Sequence, residues 1–378
     1  MTHAQMIHEK STTTNNRLYM AFELSNSKWK LAFGNGMKKR QKTITARDLM
    51  ALEEEIAKAR QKFKMTEDVP IYSCYEAGRD GFWIHRYLES SGIHNLVVDS
   101  SSIEVNRRYR RAKSDRLDAD KLLNMLIRYL NGEQNLWSVL CVPDVEEEDA
   151  RRLNREIERL KKEKGAHTTR IKSLLALHGI MLQVGKGFLE RLEKATQWDG
   201  KRLARRIKNE IQREYQRYEL IQEQIKSLEM ERKELRQSSE TAGRKVQALE
   251  SLKGVGSVSS LILVLEYFGW REFANVKQVG AGAGLAPTPY NSGSSEKEQG
   301  ISKSGNPRVR RTMIELSWLW LRWQPQSSLS QWYMKRFGSG GKRMRRIGIV
   351  ALARKLLIAL WKYLETGLVP EGAILKKV

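Results

Sequence analysis

The sequence predicts three successive regions: a mixed α/β domain over residues 17–143, a long helical region over 144–245, and a mainly helical C-terminal domain over 246–378. Three observations predict this. The first part of the chain alternates short apolar runs with amphipathic ones. Residues 145–245 are dense in Glu, Lys, Arg, Gln and Leu, with little Gly or Pro. From Gly243 onward glycines return, and Trp- and Leu-rich helical stretches close the chain.

In order, residues 1–16 are polar and end in Ser11-Thr-Thr-Thr-Asn-Asn16, which reads as a disordered leader. Leu18–Ser25 reads as a strand, Lys28–Phe33 as a second, and the segment around Lys42–Thr45 as a third. Gly34-Asn-Gly36 between the last two is a hairpin signal. Arg47–Phe63 is an amphipathic helix. Val69–Cys74 is a short apolar strand that runs into Tyr75-Glu-Ala-Gly78. A helix over Arg79–Ser90, a strand over His94–Val98 and a helix opening at Asp115 complete the α/β layout. In that last helix Leu117, Leu122, Leu123, Met125 and Leu126 have helical period.

Two long helices follow, over Glu147–Glu163 and Arg202–Leu235. In the second, Ile207, Ile211, Tyr215, Tyr218, Ile221, Ile225, Leu228 and Met230 recur at about 3.5–3.6 residues, as in a coiled coil or helical hairpin. That seam predicts oligomerisation or an arm. His178 and its neighbours mark a break between helices. Leu249–Leu263 reads as helix, Gly254-Val-Gly256 turn and helix, a helix-hairpin-helix-like element. Gly280–Ser295 reads as a Ser/Gly loop. Ile314–Trp323 and Ile347–Tyr363 read as core helices.

The acids fall at telling places. Glu23 sits on the first strand, and Glu76 lies at the carboxyl end of the fourth. Asp115 and Asp118, three apart at a helix start, share a face, while Asp120 points elsewhere. Ligand sites of open α/β sheets gather at strand carboxyl ends. Neighbouring carboxylates repel unless a cation sits between them, and a hard divalent ion such as Mg²⁺ fits all-oxygen ligands. A strand acid, a strand-end acid and a helix pair form the arrangement of an RNase H-like nuclease site with two Mg²⁺ ions. Each acid also has a plainer reading: an exposed strand charge for Glu23, a turn residue for Glu76, and helix-start acids for Asp115 and Asp118.

The bases point to phosphate. Arg107, Arg108, Arg110, Arg111 and Lys113 crowd beside the proposed metal site, with Tyr109 among them for base stacking. Lys253, Gly254 and Gly256 put a cation and free backbone N–H groups at a helix start. Lys303, Arg308, Arg310 and Arg311 follow the Ser/Gly stretch. Within that stretch and just beyond it, Ser292, Ser294, Ser295, Ser302 and Ser304 are equal candidates for an activated hydroxyl. The 378-residue chain carries a formal net charge of +24, which predicts a polyanionic partner, nucleic acid first. Two cysteines, Cys74 and Cys141, are too few for a disulfide scaffold or a thiolate zinc site, and six scattered histidines show no ligand spacing. No apolar run approaches the ~20 residues that span a bilayer, so no membrane partner is expected.

Taken together, Tyr75-Glu-Ala-Gly78, Lys113-Ser-Asp-Arg-Leu-Asp-Ala-Asp120, Leu252-Lys-Gly-Val-Gly256, Gly284-Leu-Ala-Pro287, Ser292-Gly293 and Ile301-Ser-Lys-Ser-Gly-Asn306 resemble one family. It is that of the insertion-sequence transposases with a four-carboxylate, RuvC-like N-terminal domain and a separate C-terminal transposase domain, described as bridge-RNA-guided serine recombinases. The resemblance runs from Leu18 to about Leu364. It implies a carboxylate tetrad of Glu23, Glu76, Asp115 and Asp118 holding Mg²⁺, and a nucleophilic serine at Ser292. The family's usual first acid is Asp, so Glu23 moves that carboxylate outward by about 1.5 Å. The resemblance further implies a covalent serine–DNA link and a composite site built by different protomers of a homo-oligomer, dimer to tetramer. It implies a noncoding guide RNA that pairs with donor and target DNA, and a place of action at the nucleoid in the bacterial cytoplasm. Two rivals remain: a RuvC-like junction nuclease using water attack, which needs no Ser292, and a nucleic-acid-binding protein with a decayed site.

Overall fold

The structure, a computed structural model, describes residues 17–78, 81–99, 102–103, 115–133, 136–237, 241–292 and 295–376. The expected leader, the basic segment Arg107–Lys113 and Ser294 lie outside the described residues. The chain divides into two compact units, Met1–Val142 and Pro143–Val378.

The first unit is built on a five-stranded mixed sheet of order β3-β2-β1-β4-β5. β1 (Leu18–Leu24), β2 (Lys28–Gly34) and β3 (Lys39–Thr45) form an antiparallel meander, while β4 (Ile71–Glu76) and β5 (His94–Val98) continue the sheet in parallel with β1. Leu18, Met20 and Phe22 pack with α1 (Leu49–Phe63) and α2 (Trp83–Ser90) on one face. Tyr19 and Ala21 pack with α3 (Asp115–Leu130) on the other. Both faces are covered, which is why β1 reads as a nearly continuous apolar run. Asp48 starts α1 by accepting the Ala51 N–H at 3.0 Å, and the Arg40–Glu55 ion pair ties β3 to that helix.

Two strand ends differ from expectation. β3 begins earlier, at Lys39, because its polar residues pair through the hairpin register and not through an apolar pattern. β4 runs on through Tyr75 to Glu76, so Glu76 closes the strand and does not follow it.

The second unit opens with α4 (Val145–Ala176), started by a capping box between Asp144 and Glu147. It extends well past the expected end at Glu163. A short α5 (Phe188–Lys194) and the long α6 (Arg205–Gln237) follow. Lys161 pairs with Glu229 and His167 with Glu214, so α4 and α6 run antiparallel. Ile157, Leu160, Ile171 and Leu175 of α4 and Ile211, Tyr215, Tyr218, Ile221 and Ile225 of α6 are buried. The periodic seam that predicts a coiled coil is therefore closed within one chain, as a helical hairpin.

The rest of this unit surrounds a core of Tyr267, Phe268, Met313, Leu316, Trp320, Leu356 and Leu360. Its helices are α7 (Thr241–Ser251), α8 (Ser257–Leu263, continued by a π-helical turn Val264–Phe268), α9 (Val276–Gly282), α10 (Pro307–Trp323), α11 (Ser328–Tyr333) and α12 (Lys342–Thr366). The expected Ser/Gly loop is corrected: β6 (Pro287–Ser292) and β7 (Ser295–Ile301) form an antiparallel hairpin. Two prolines in β6 and the charged Glu296-Lys-Glu298 of β7 hide its strand pattern.

Candidate functional site

In the first unit, β1 and β4 pair in parallel from Leu18 opposite Ile71 to Phe22 opposite Tyr75. Glu23 and Glu76 each follow the last pair of that ladder by one residue. Period two keeps Glu23 on the face of Tyr19 and Ala21, and Glu76 on the face of Tyr72 and Cys74, which is the α3 face for both. Glu23 is half-buried and Glu76 exposed. The helix above is antiparallel to β1. A Cβ on Gly34 would lie 3.3 Å from Leu123 Cδ2 and 3.8 Å from Ile127 Cδ1, and Gly34 pairs with Tyr19 at the start of β1. Cys74 Sγ donates to the Leu122 carbonyl at 3.8 Å. One turn earlier, half-buried Asp118 lies further toward the carboxyl ends of β1 and β4. Asp115 is the first residue of α3, and its side chain lies outside the described residues.

Lys30 escaped the sequence reading, and Asp120 reads in sequence only as pointing away from the other acids. Lys30 stands opposite Glu23 in the β1–β2 register, on the same face, where opposite charges stabilise each other. Only the hairpin register reveals it. Asp120, half-buried on α3, has an Oδ1 without a hydrogen-bond partner among the described residues. Also among the described residues, no three His, Cys, Asp or Glu side chains gather closely enough to hold a metal ion.

In the second unit, Ser292 ends β6 and pairs with Ser295 across the hairpin. The stem of that hairpin is fixed by close backbone packing. Gly284 has φ +67°, and a Cβ there would stand 2.0 Å from the Ser304 carbonyl oxygen. Gly305 has φ +94°, and its Cβ would meet the Gly282 carbonyl oxygen at 2.2 Å. Only glycine fits either position. Lys303 N–H donates to the Gly284 carbonyl at 3.1 Å, and Asn306 N–H to that of Gly282 at 2.9 Å. Lys303 and Ser304 are exposed and Ser302 is half-buried, its N–H donating to Ala286.

An ion network centred on the buried Glu266 holds this stem. The Asn306 side chain caps α10 by accepting the N–H groups of Arg308 and Val309, and its Nδ2 donates to Glu266 Oε2 at 3.1 Å. Arg155 donates to both Glu266 oxygens, at 2.7 and 2.8 Å. Burial alone pushes the Glu266 carboxyl up, but the Arg155 bonds and charge, with Asn306 and Arg308, outweigh it and hold it below the ordinary range. Arg308 donates to Glu158 at 3.0 Å, and Arg310 to the Ala283 carbonyl at 3.1 Å. Two of the expected phosphate ligands thus make intramolecular bonds, while Arg311 is exposed.

Lys253 is exposed on the turn between α7 and α8, with its ammonium 5.8 Å from the Trp323 ring centre. Gly254 has φ +92°, as the tight turn requires, and Gly256 caps α8.

Acids toward the carboxyl edge of a mixed sheet, a glycine-locked stem and a charge of +24 fit a protein that handles nucleic acid. The profile of the family described as "Transposase IS116/IS110/IS902 family" matches residues 246–331. The chain is 40% identical over 375 residues to the putative transposase y4rJ of Sinorhizobium fredii, covering 95% of this chain and 94% of that one. It is 26% identical over 324 residues to the transposase for IS1533 of Leptospira borgpetersenii, covering 82% and 85%. It is 27% identical over 219 residues to the transposase for IS1328 of Yersinia enterocolitica, covering 57% and 63%. The chain belongs to the IS116/IS110/IS902 family of transposases. No helix among the described residues is long and apolar enough to cross a membrane.

Proposed function

We propose that this insertion-sequence transposase cuts and rejoins DNA through a covalent serine–DNA intermediate. Ser292 is the nucleophile, and Glu23, Glu76, Asp115 and Asp118 are the residues that would hold Mg²⁺. The observation that carries the reading is that Glu23 and Glu76 each follow the last β1–β4 pair by one residue on one sheet face, at the end toward which the first turn of α3 points. That is the layout a RuvC-like, RNase H-like domain requires. In kind the donor set fits a hard ion: all four side chains are carboxylates, two on neighbouring strands and two in the first turn of α3. When bound, Mg²⁺ supplies Lewis-acid polarisation of the phosphate and stabilisation of developing charge.

The chain's own part is positioning and attack. The Ser292 hydroxyl attacks phosphorus, an Oγ–P bond forms as the P–O bond to the departing strand breaks, and the hydroxyl proton passes to a base. Rejoining reverses this, with a strand hydroxyl displacing the serine oxygen. The Gly284–Asn306 packing and the Glu266 network support the stem that carries Ser292. Resemblance alone supports a guide RNA paired with donor and target DNA, with which the charge of +24 is compatible, and a homo-oligomer of two to four protomers.

Covalent trapping tests this. Protein, Mg²⁺, RNA transcribed from the element's flank and labelled donor DNA are mixed and run on a denaturing gel. A slow protein–DNA band is expected, absent in Ser292→Ala and much weakened in Glu76→Gln and Asp118→Asn. Cleaved DNA without an adduct, equal in wild type and Ser292→Ala, would mean water attack as in a junction nuclease.

A further inference from the structure

The solvent face of α10 carries residues that a solvent face does not need. The helix buries Val309, Met313, Leu316 and Trp320. Its exposed stripe is Arg311, Glu315, Trp318, Leu319, Arg322 and Trp323, at helical spacing. Trp318 is 48% exposed and Trp323 43%. Exposed apolar surface gathered in one stripe marks an interaction site.

The turn between α7 and α8 joins the same face. Lys253 lies 5.8 Å and Arg322 5.3 Å from the centre of the Trp323 ring. A Cβ on Gly254 would meet Trp323 Cβ at 3.0 Å, so the turn closes directly onto this tryptophan. Gln324 Nε2 donates to the Lys253 carbonyl at 2.7 Å and fixes the turn against the helix end.

We propose that this face binds unpaired nucleotides, with a base stacked on Trp318 and the adjoining phosphates at Lys253, Arg322 and Arg311. Three cations against the single acid Glu315 favour a polyanion. The cores of protein–protein interfaces are depleted in Lys, whereas a cation beside an aromatic ring is what a single strand uses. A duplex hides its base faces, so an exposed indole selects strands whose bases are splayed out. The inference rests on the reading of the chain as a DNA-handling transposase, and it names residues apart from Ser292 and the carboxylates.

The test uses the full chain and fluorescence anisotropy with a roughly 20-nucleotide oligothymidine and a closed hairpin duplex of similar length. Trp318→Ala is expected to weaken single-strand binding by about 5- to 100-fold and leave the duplex within about 2-fold. Trp318→Phe retains most of the affinity, and Arg322→Gln lowers the salt slope for the single strand by about 0.7. Because Trp318 faces solvent, its removal leaves folding intact, which circular dichroism checks. Unchanged single-strand binding overturns the proposal, as does an equal loss for both probes. A mass that falls by light scattering while binding holds would assign the face to a second copy and equally overturn it. Covalent trapping through Ser292 on the same variants keeps this outcome separate from the recombinase reading.

Discussion

The Glu266 carboxylate, 1% exposed, accepts two bonds from Arg155 and one from Asn306, the residue that caps α10. Its folded-state pKa lies below its ordinary value of 4.5. The stability it contributes is therefore fully present above that value and is lost as pH falls through the lower folded value. Thermal melts from pH 7 down to 3 are expected to show a steeper drop for wild type than for Glu266→Gln. At pH 7 the variant is expected to be less stable by about 2 kcal/mol, since Arg155 keeps partial solvent access. Parallel melting curves across that range would remove Glu266 from the stem's support. Gly284 gives a companion test. Gly284→Ala sets a Cβ on the Ser304 carbonyl at a positive φ and is expected to cost about 2–4 kcal/mol in denaturant unfolding. A loss below about 0.5 kcal/mol would show the stem to be loosely packed. Residues of this kind were illegible in sequence: Arg155 and Asn306 stand 111 and 40 positions from Glu266, and no local pattern joins them. Glu23 and Glu76 were legible as candidates because strand period and strand-end position are local, whereas Lys30 needed the hairpin register.

At the scale of elements, the apolar seams read correctly in kind and differently in use. The β1, β2 and β5 strands follow from continuous apolar runs, since both sheet faces are covered. The β6–β7 hairpin did not, because its residues are mostly polar and its pairing is fixed by the anchored stem on either side. The α6 periodicity was plain, but period alone cannot say whether the partner helix belongs to the same chain. Here it is α4. A consequence follows for Ile211, which is fully buried in that hairpin. Ile211→Ala is expected to destabilise by about 2–5 kcal/mol, with the same fall in Tm at every protein concentration. A fall that shrinks as concentration rises would mean that the seam is shared between chains, and scattering across the same series would show the change in mass.

At the scale of the whole molecule, two compact units share a chain in which 68 Lys and Arg face 44 Asp and Glu. In sequence the composition changes near residue 145, from a strand-rich stretch to an Arg- and Glu-rich helical one, and changes again at Gly243, because these stretches need different patterns. Charge at this scale acts through released counterions, so log affinity for duplex DNA is expected to fall linearly with log salt. Each phosphate contact contributes about 0.9 to the slope. Arg308 and Arg310 already serve Glu158 and the Ala283 carbonyl, whereas Arg311 is exposed. Arg311→Gln is therefore expected to lower the duplex slope by close to one contact, while Arg308→Gln reduces stability and barely moves it. Ser292→Ala should leave the slope unchanged, because it removes a nucleophile and no charge. If Arg308→Gln lowered the slope as much as Arg311→Gln, the Glu158 pair would open on binding DNA, and Arg308 would have to be counted among the phosphate contacts after all.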